Sequence, residues 1–187
     1  MRQIGLLILL MVGLCVGTPI TSSSTPTHVQ PEKERPTMNL PVDLRQTNWT
    51  QGSGSCVHAT LISLFRWQGR YNMADYWRKT YGGGEYPADT EAKLDKEGVR
   101  YAYTAGENDV AFLEWAIATR RGCGVTVQGG AHFVCLVELT GTEACIMDNN
   151  AVQKYQWMPR EKFLSEWRAS NSWALTPLYT PNAPRPQ

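Results

Sequence analysis

Five cysteines and three histidines are the only thiol and imidazole groups in the 187-residue chain, so thiol or imidazole chemistry must draw on a short roster. Cys56 follows the loop Gly52-Ser53-Gly54-Ser55 and precedes Val57, Leu61, Ile62, Leu64 and Phe65, which recur at helical spacing as far as Gly69. The spacing predicts a buried helix starting at Ser55 or Cys56. Unsatisfied N–H groups and the helix dipole at such a start favour a thiolate over a thiol, which is what a nucleophilic cysteine requires. Since a cysteine is by default only a small buried hydrophobe, partners must decide the matter. His132 opens an apolar alternating run just after Gly129-Gly130-Ala131, where missing side chains leave room for a ligand backbone. Asp148 ends the next apolar run, and a hairpin at Thr140 to Glu143 brings it back beside His132, able to orient the imidazole. A register slip of one residue puts Asn149 in that role instead. Gln51, five residues before Cys56, offers an amide that with the Cys56 backbone N–H forms an oxyanion hole.

Gln51-Gly-Ser-Gly-Ser-Cys56-Val-His-Ala, then Gly130-Ala-His132-Phe-Val-Cys-Leu-Val, then Ile146-Met-Asp148-Asn149, resemble the papain-like cysteine peptidases in kind and order. The separations of 76 residues from Cys56 to His132 and 16 from His132 to Asp148 are similar to those of the compact C39 and C39-like, bacteriocin-processing peptidases. The resemblance covers residues 46 to 170 and implies Cys56 as nucleophile, His132 as general base and acid, Asp148 as orienting carboxylate and Gln51 as oxyanion-hole side chain. It departs from the family in having Ser55-Cys56-Val57 where Asp-Cys-Gly is common, and a Gln-to-Cys gap one residue short.

Other candidates fall away on geometry. His58 is two residues past Cys56, about 200° round a helix, and cannot serve as its base. His132 and Cys135 lie on opposite faces of a strand and no Cys-x-x-Cys pair exists, so no metal or other cofactor is expected. Cys123, Cys135 and Cys145 are expected as buried free thiols, with Cys135 and Cys145 on the sheet face away from the site. Asn48-Trp49-Thr50 is a glycosylation sequon if the host glycosylates. Trp49, the Tyr81 to Glu85 loop and Gly129-Gly130 are expected to wall the substrate pocket.

The elements that must position these groups read as helices first and strands after. Further helices are expected at 73–80, 90–97, 109–120 and 160–168, and strands at 125–128, 132–139, 144–148, 155–157 and 173–176. This order gives the α+β class, a papain-like fold in which an N-terminal helical part with a central nucleophile helix packs on a C-terminal antiparallel sheet. The uncharged run from Ile4 to Gly17 behind Arg2 reads as a secretory signal peptide over 1–17, retained as a membrane anchor if uncleaved. A Ser/Thr/Pro-rich spacer at 18–40, one domain at 41–180 and a flexible tail at 181–187 complete the expected organisation.

A formal net charge of +1, falling to zero once Arg2 leaves with the signal, argues against nucleic acid as partner. With 42% apolar residues the chain is one folded domain with a real core. The expectation is a secreted or periplasmic, monomeric cysteine peptidase acting on a peptide or protein through a Cys-His-Asp triad and an acyl-enzyme, with no stable membrane span after signal removal. The alternatives are a transglutaminase-like acyltransferase with the same triad, and a non-catalytic binding module on the same scaffold.

Overall fold

The computed structural model describes residues 35–49 and 54–184. The expected signal peptide, most of the spacer, Gln51 and the last three residues lie outside the described residues. Helices α1 (Cys56–Trp67), α2 (Tyr71–Thr80) and α3 (Pro87–Lys96) come first, followed by β1 (Arg100–Thr104), α4 (Val110–Ala118), β2 (Cys123–Val127), β3 (His132–Leu139), β4 (Glu143–Met147), β5 (Gln156–Pro159), α5 (Arg160–Ala169) and β6 (Ala174–Tyr179). The strands form one antiparallel sheet in the order β1-β6-β2-β3-β4-β5.

Helix α1 ends where Gly69, at φ 72°, takes the left-handed conformation that a glycine adopts without cost. Gly69 N–H donates to Arg66 C=O at 3.0 Å and Arg70 N–H to Phe65 C=O at 2.8 Å, the paired bonds that close a helix C-terminus. Helix α3 begins three residues earlier than its polar caps suggest, because Pro87 fits the first helical position, where no N–H is needed. Asp109 caps α4, its carboxylate accepting from Phe112 N–H at 3.1 Å.

The central strand β3 is buried on both faces, and its side chains divide between two helical layers. Val134 and Leu136 pack with Leu113 and Ile117 of α4 and Phe163 and Trp167 of α5. Phe133 packs with Val57 and Leu61 of α1 and with Trp77 of α2, while Cys135 and Val137 meet Leu64 of α1. The sheet is therefore covered by α1 and α2 on one side and by α4 and α5 on the other. Among the described residues no helix is long and apolar enough to cross a membrane.

Four features differ from the sequence expectation. Strand β1, five residues between two helices, carries no isolated strand signal and is a strand by virtue of pairing with β6 some seventy residues later. The helices are thus not all ahead of the strands. Met38 and Leu40 are fully buried, Met38 N–H donating to Val137 C=O at 3.0 Å, so core packing begins before residue 41. Cys135 and Cys145 occupy the face covered by α1, not the far face, and Cys135 lies against the Thr60 carbonyl. The alternation along β3 carries Phe133, Cys135 and Val137 together toward α1.

Gly124 in β2 marks the tightest point of this packing. A Cβ there would lie 2.2 Å from the Phe133 ring, which is itself stacked on Trp173 at a centroid distance of 4.4 Å. Gly124→Ala is therefore expected to destabilise the fold by about 1–3 kcal/mol through overpacking, read as a lower urea midpoint with an unchanged slope. Stability equal to wild type would contradict this account of the interface.

Candidate active site

Cys56 is the first residue of α1. Its position is set by Ser55, whose backbone N–H donates to Asn48 Oδ1 at 2.7 Å and whose hydroxyl accepts from Gly83 N–H at 2.9 Å. The Ser55 carbonyl accepts from Ala59 N–H at 2.8 Å, starting the helical ladder. Burial pushes the Cys56 thiol up, but a hydrogen bond and charge attraction from His132, with the backbone groups of Phe133 and Val57, outweigh it and hold the thiol below its ordinary range.

His132 is delivered by a turn in which Gln128, Gly129 and Gly130 all have positive φ, pinned where Gly129 N–H donates to Ser170 Oγ at 2.9 Å. Its Nε2 faces Asp148 Oδ1 at 2.8 Å, which leaves Nδ1 for Cys56. Burial works against the imidazolium, but Asp148 and Cys56 together push the His132 pKa up to about 9. In turn the bond from His132, supported by Asn150 N–H at 2.8 Å and Gln156 Nε2 at 3.2 Å, holds the Asp148 carboxyl below the usual carboxylate range. The cysteine, histidine and aspartate singled out by spacing thus form one hydrogen-bonded line. The Cys135–Met147 pairing, continued by one residue, sets Asp148 opposite Val134, diagonal to His132 and within reach of its ring.

Asn149 does something else. Its amide turns inward and donates to Phe133 C=O at 2.8 Å, Cys56 C=O at 3.1 Å and Thr60 Oγ1 at 3.2 Å. It therefore ties the first turn of α1 to the start of β3 and makes no contact with the imidazole, so the alternative register is not the one adopted. The Asn48 side chain, the sequon position, is likewise engaged, its Oδ1 on Ser55 N–H and its Nδ2 on Asn150 Oδ1 at 3.1 Å. His58 is fully buried away from the thiol, accepting from Trp77 Nε1 at 3.1 Å and donating through Nε2 to Glu85 at 3.2 Å. Among the described residues no cluster of His, Cys, Asp and Glu is arranged to hold a metal.

A cavity of about 220 Å³ opens beside Cys56 and His132, with Gly84, Glu85, Gly130 and Phe133 in its walls. The Tyr81 to Glu85 loop and the Gly129-Gly130 turn thus supply walls, as expected. Trp49 instead backs the loop, lying against Gly82 with the Arg78 guanidinium 3.9 Å over its ring. Gln156 and Asn150 carry no catalytic signal in the sequence, and Asn48 carries only that of a sequon, because each acts through pairings visible only after folding. Gln156 sits opposite Ile146, one residue from the end of β4, and so beside Asp148.

No family model and no curated protein matches this chain. Among solved structures it is similar to one described as a double glycine motif protease from an AMS/PCAT transporter in complex with the leader peptide, at 16% identity and a TM-score of 0.51. The likeness covers 78% of this chain and 99% of that one, and shows that the two share the C39 peptidase fold.

With the thiol lowered and the imidazole raised, the ion pair spans the interval between the two titrations. Iodoacetamide should therefore alkylate Cys56 well below the ordinary thiol pKa of about 8.5, and His132→Ala should move that profile up by about one pH unit or more. The buried Cys123 and Cys135, whose thiols burial pushes up, should stay unlabelled in native protein. Coincident profiles in the two proteins would contradict the pairing.

Proposed function

We propose that the protein is a cysteine peptidase in which Cys56 is the nucleophile, His132 the general acid and base, and Asp148 the carboxylate that orients the imidazole. The observation that carries this reading is the unbroken line from Asp148 through His132 to Cys56, ending at a helix start beside an open cleft. The fold shared with a protein described as a protease bound to a leader peptide supports a peptide substrate.

Each group has a defined task. The Cys56 thiolate attacks the peptide carbonyl carbon while the carbonyl electron pair moves to oxygen. The resulting oxyanion is held by the Cys56 backbone N–H and, in this reading, the Gln51 amide. His132 Nδ1–H protonates the departing amine as the C–N bond breaks, leaving a thioester on Cys56. The now neutral imidazole takes a proton from water, hydroxide adds to the thioester, and the C–S bond breaks to release the acid. Because Nδ1 already carries the proton taken from water, departure of the thiolate restores the ion pair. Asp148 remains ionised throughout, fixing the ring so that Nδ1 faces sulfur and offsetting the imidazolium charge.

The run from Ile4 to Gly17 supports export, so we assign residues 1–17 as a signal removed near Gly17. Intact mass of the exported chain checks this, and a retained N-terminus would contradict it.

A fluorogenic peptide library tests the activity. Cys56→Ala and His132→Ala should each lower kcat by about 10⁴-fold or more, while Asp148→Asn should leave measurable turnover. Product should be free acid even with a primary amine added. Turnover surviving Cys56→Ala, or accumulation of the amide in place of the acid, would contradict a peptidase.

A further inference from the structure

Glu85 lines the cavity next to Cys56 and His132, and the reaction above makes no use of it. Its side chain is only 7% exposed, and its Oε1 holds two donors, Lys93 Nζ and His58 Nε2. These contacts explain why a carboxylate survives at this depth. His58 is kept neutral, since burial lowers its pKa more than Glu85 raises it, and Trp77 donating to Nδ1 leaves the proton on Nε2. Lys93 reaches in from α3 on a partly exposed stem. Both contacts fall on Oε1, whereas a carboxylate offers about four acceptor positions.

The remaining walls suit the stem of a long side chain. Phe133 stacked on Trp173 gives an aromatic base, Pro87 and Val57 add apolar surface, and Tyr86 stands beside them 79% exposed. Gly84 and Gly130 contribute no side chain. At about 220 Å³ the space suits one amino acid side chain, not a drug-sized ligand, whose pockets run to about 300–1,000 Å³. Apolar and aromatic walls in one cavity with a nearly buried carboxylate fit an aliphatic stem with a cationic tip, and best a guanidinium, which stacks on rings and forks onto carboxylate.

The geometry points to Glu85 as a specificity residue that selects a basic side chain, arginine or lysine, close to the cleaved bond on its acyl side. This rests on the peptidase reading. It extends it by naming the substrate class, peptides carrying a basic residue in that subsite. Lys93 is then an internal cation that competes with the substrate for the same carboxylate.

Positional-scanning fluorogenic peptides, varied on the acyl side among arginine, lysine, leucine and glycine, test the assignment. Wild type should favour a basic residue at one position by about tenfold or more in kcat/KM, the usual scale of a charge-assisted contact. Glu85→Gln keeps an oxygen for His58 but removes the charge, and should collapse the arginine-to-leucine ratio toward one. Lys93→Met should raise that ratio by freeing Oε1. A purely structural Glu85 would change turnover of all peptides alike and leave the ratio untouched, which overturns the inference. Cleavage with leucine or glycine preferred also overturns it while leaving the peptidase reading standing. Cleavage of no peptide, together with ordinary thiol alkylation of Cys56, overturns both.

Discussion

The structure depends on holding a thiolate and an imidazolium together when one sits on a helix and the other on a strand 76 residues away. Neither charge is comfortable where it lies, because burial raises the thiol and lowers the imidazole when each acts alone. Their closeness, with Asp148 bonded to the far side of the ring, reverses both tendencies. The Phe133 carbonyl is the fixed point of that closeness: it accepts from Thr60 Oγ1 at 3.1 Å on α1 and from Asn149 Nδ2 at 2.8 Å on the loop after β4. Asn149 also reaches the Cys56 carbonyl, so one buried amide fastens the helix start, the strand start and the Asp148 loop. Beneath this clamp, Phe133 stacked on Trp173 and fitted over Gly124 keeps β3 from sliding along the sheet.

Much of the remaining architecture supports this clamp. The positive-φ turn at Gln128 to Gly130 aims His132, and its bond to Ser170 ties that aim to α5 on the other side of the sheet. The Asp148 carboxylate is satisfied by His132, Asn150 and Gln156 together, which keeps it ionised beside a ring that needs its charge. Ser55 and Asn48 fix the helix start, and through Gly83 they place the loop that carries Glu85. The site and the cleft wall are thereby coupled through a single serine.

The helix over Cys56, the strand opened by His132 and the turn carrying Asp148 were legible in the sequence, because each rests on local periodicity or on glycine punctuation. The meeting of these three side chains was legible for a different reason: a short hairpin leaves an antiparallel strand few registers. What escaped was whatever depended on pairing between distant segments. Strand β1 exists because β6 offers it an edge. Met38 and Leu40 look like spacer residues until the sheet gives them a face to cover. Cys135 and Cys145 were assigned to the wrong face, since alternation groups residues by face without saying which layer lies above. Asn149, read as a possible partner of the imidazole, shows the same limit, as a period of two separates it from Asp148 but does not reveal that the core side needs an amide.

The central claim is the ion pair, and nitrogen chemical shifts of the histidine rings report it directly. In ¹⁵N-histidine-labelled protein, with His132 assigned by its loss in His132→Ala, both ring nitrogens should appear protonated near neutral pH and remain so until about pH 9. In Cys56→Ala the same ring should lose its second proton at lower pH, because the thiolate no longer supports it. A wild-type His132 that titrates near the ordinary histidine pKa of about 6.5, unchanged by Cys56→Ala, would contradict the account.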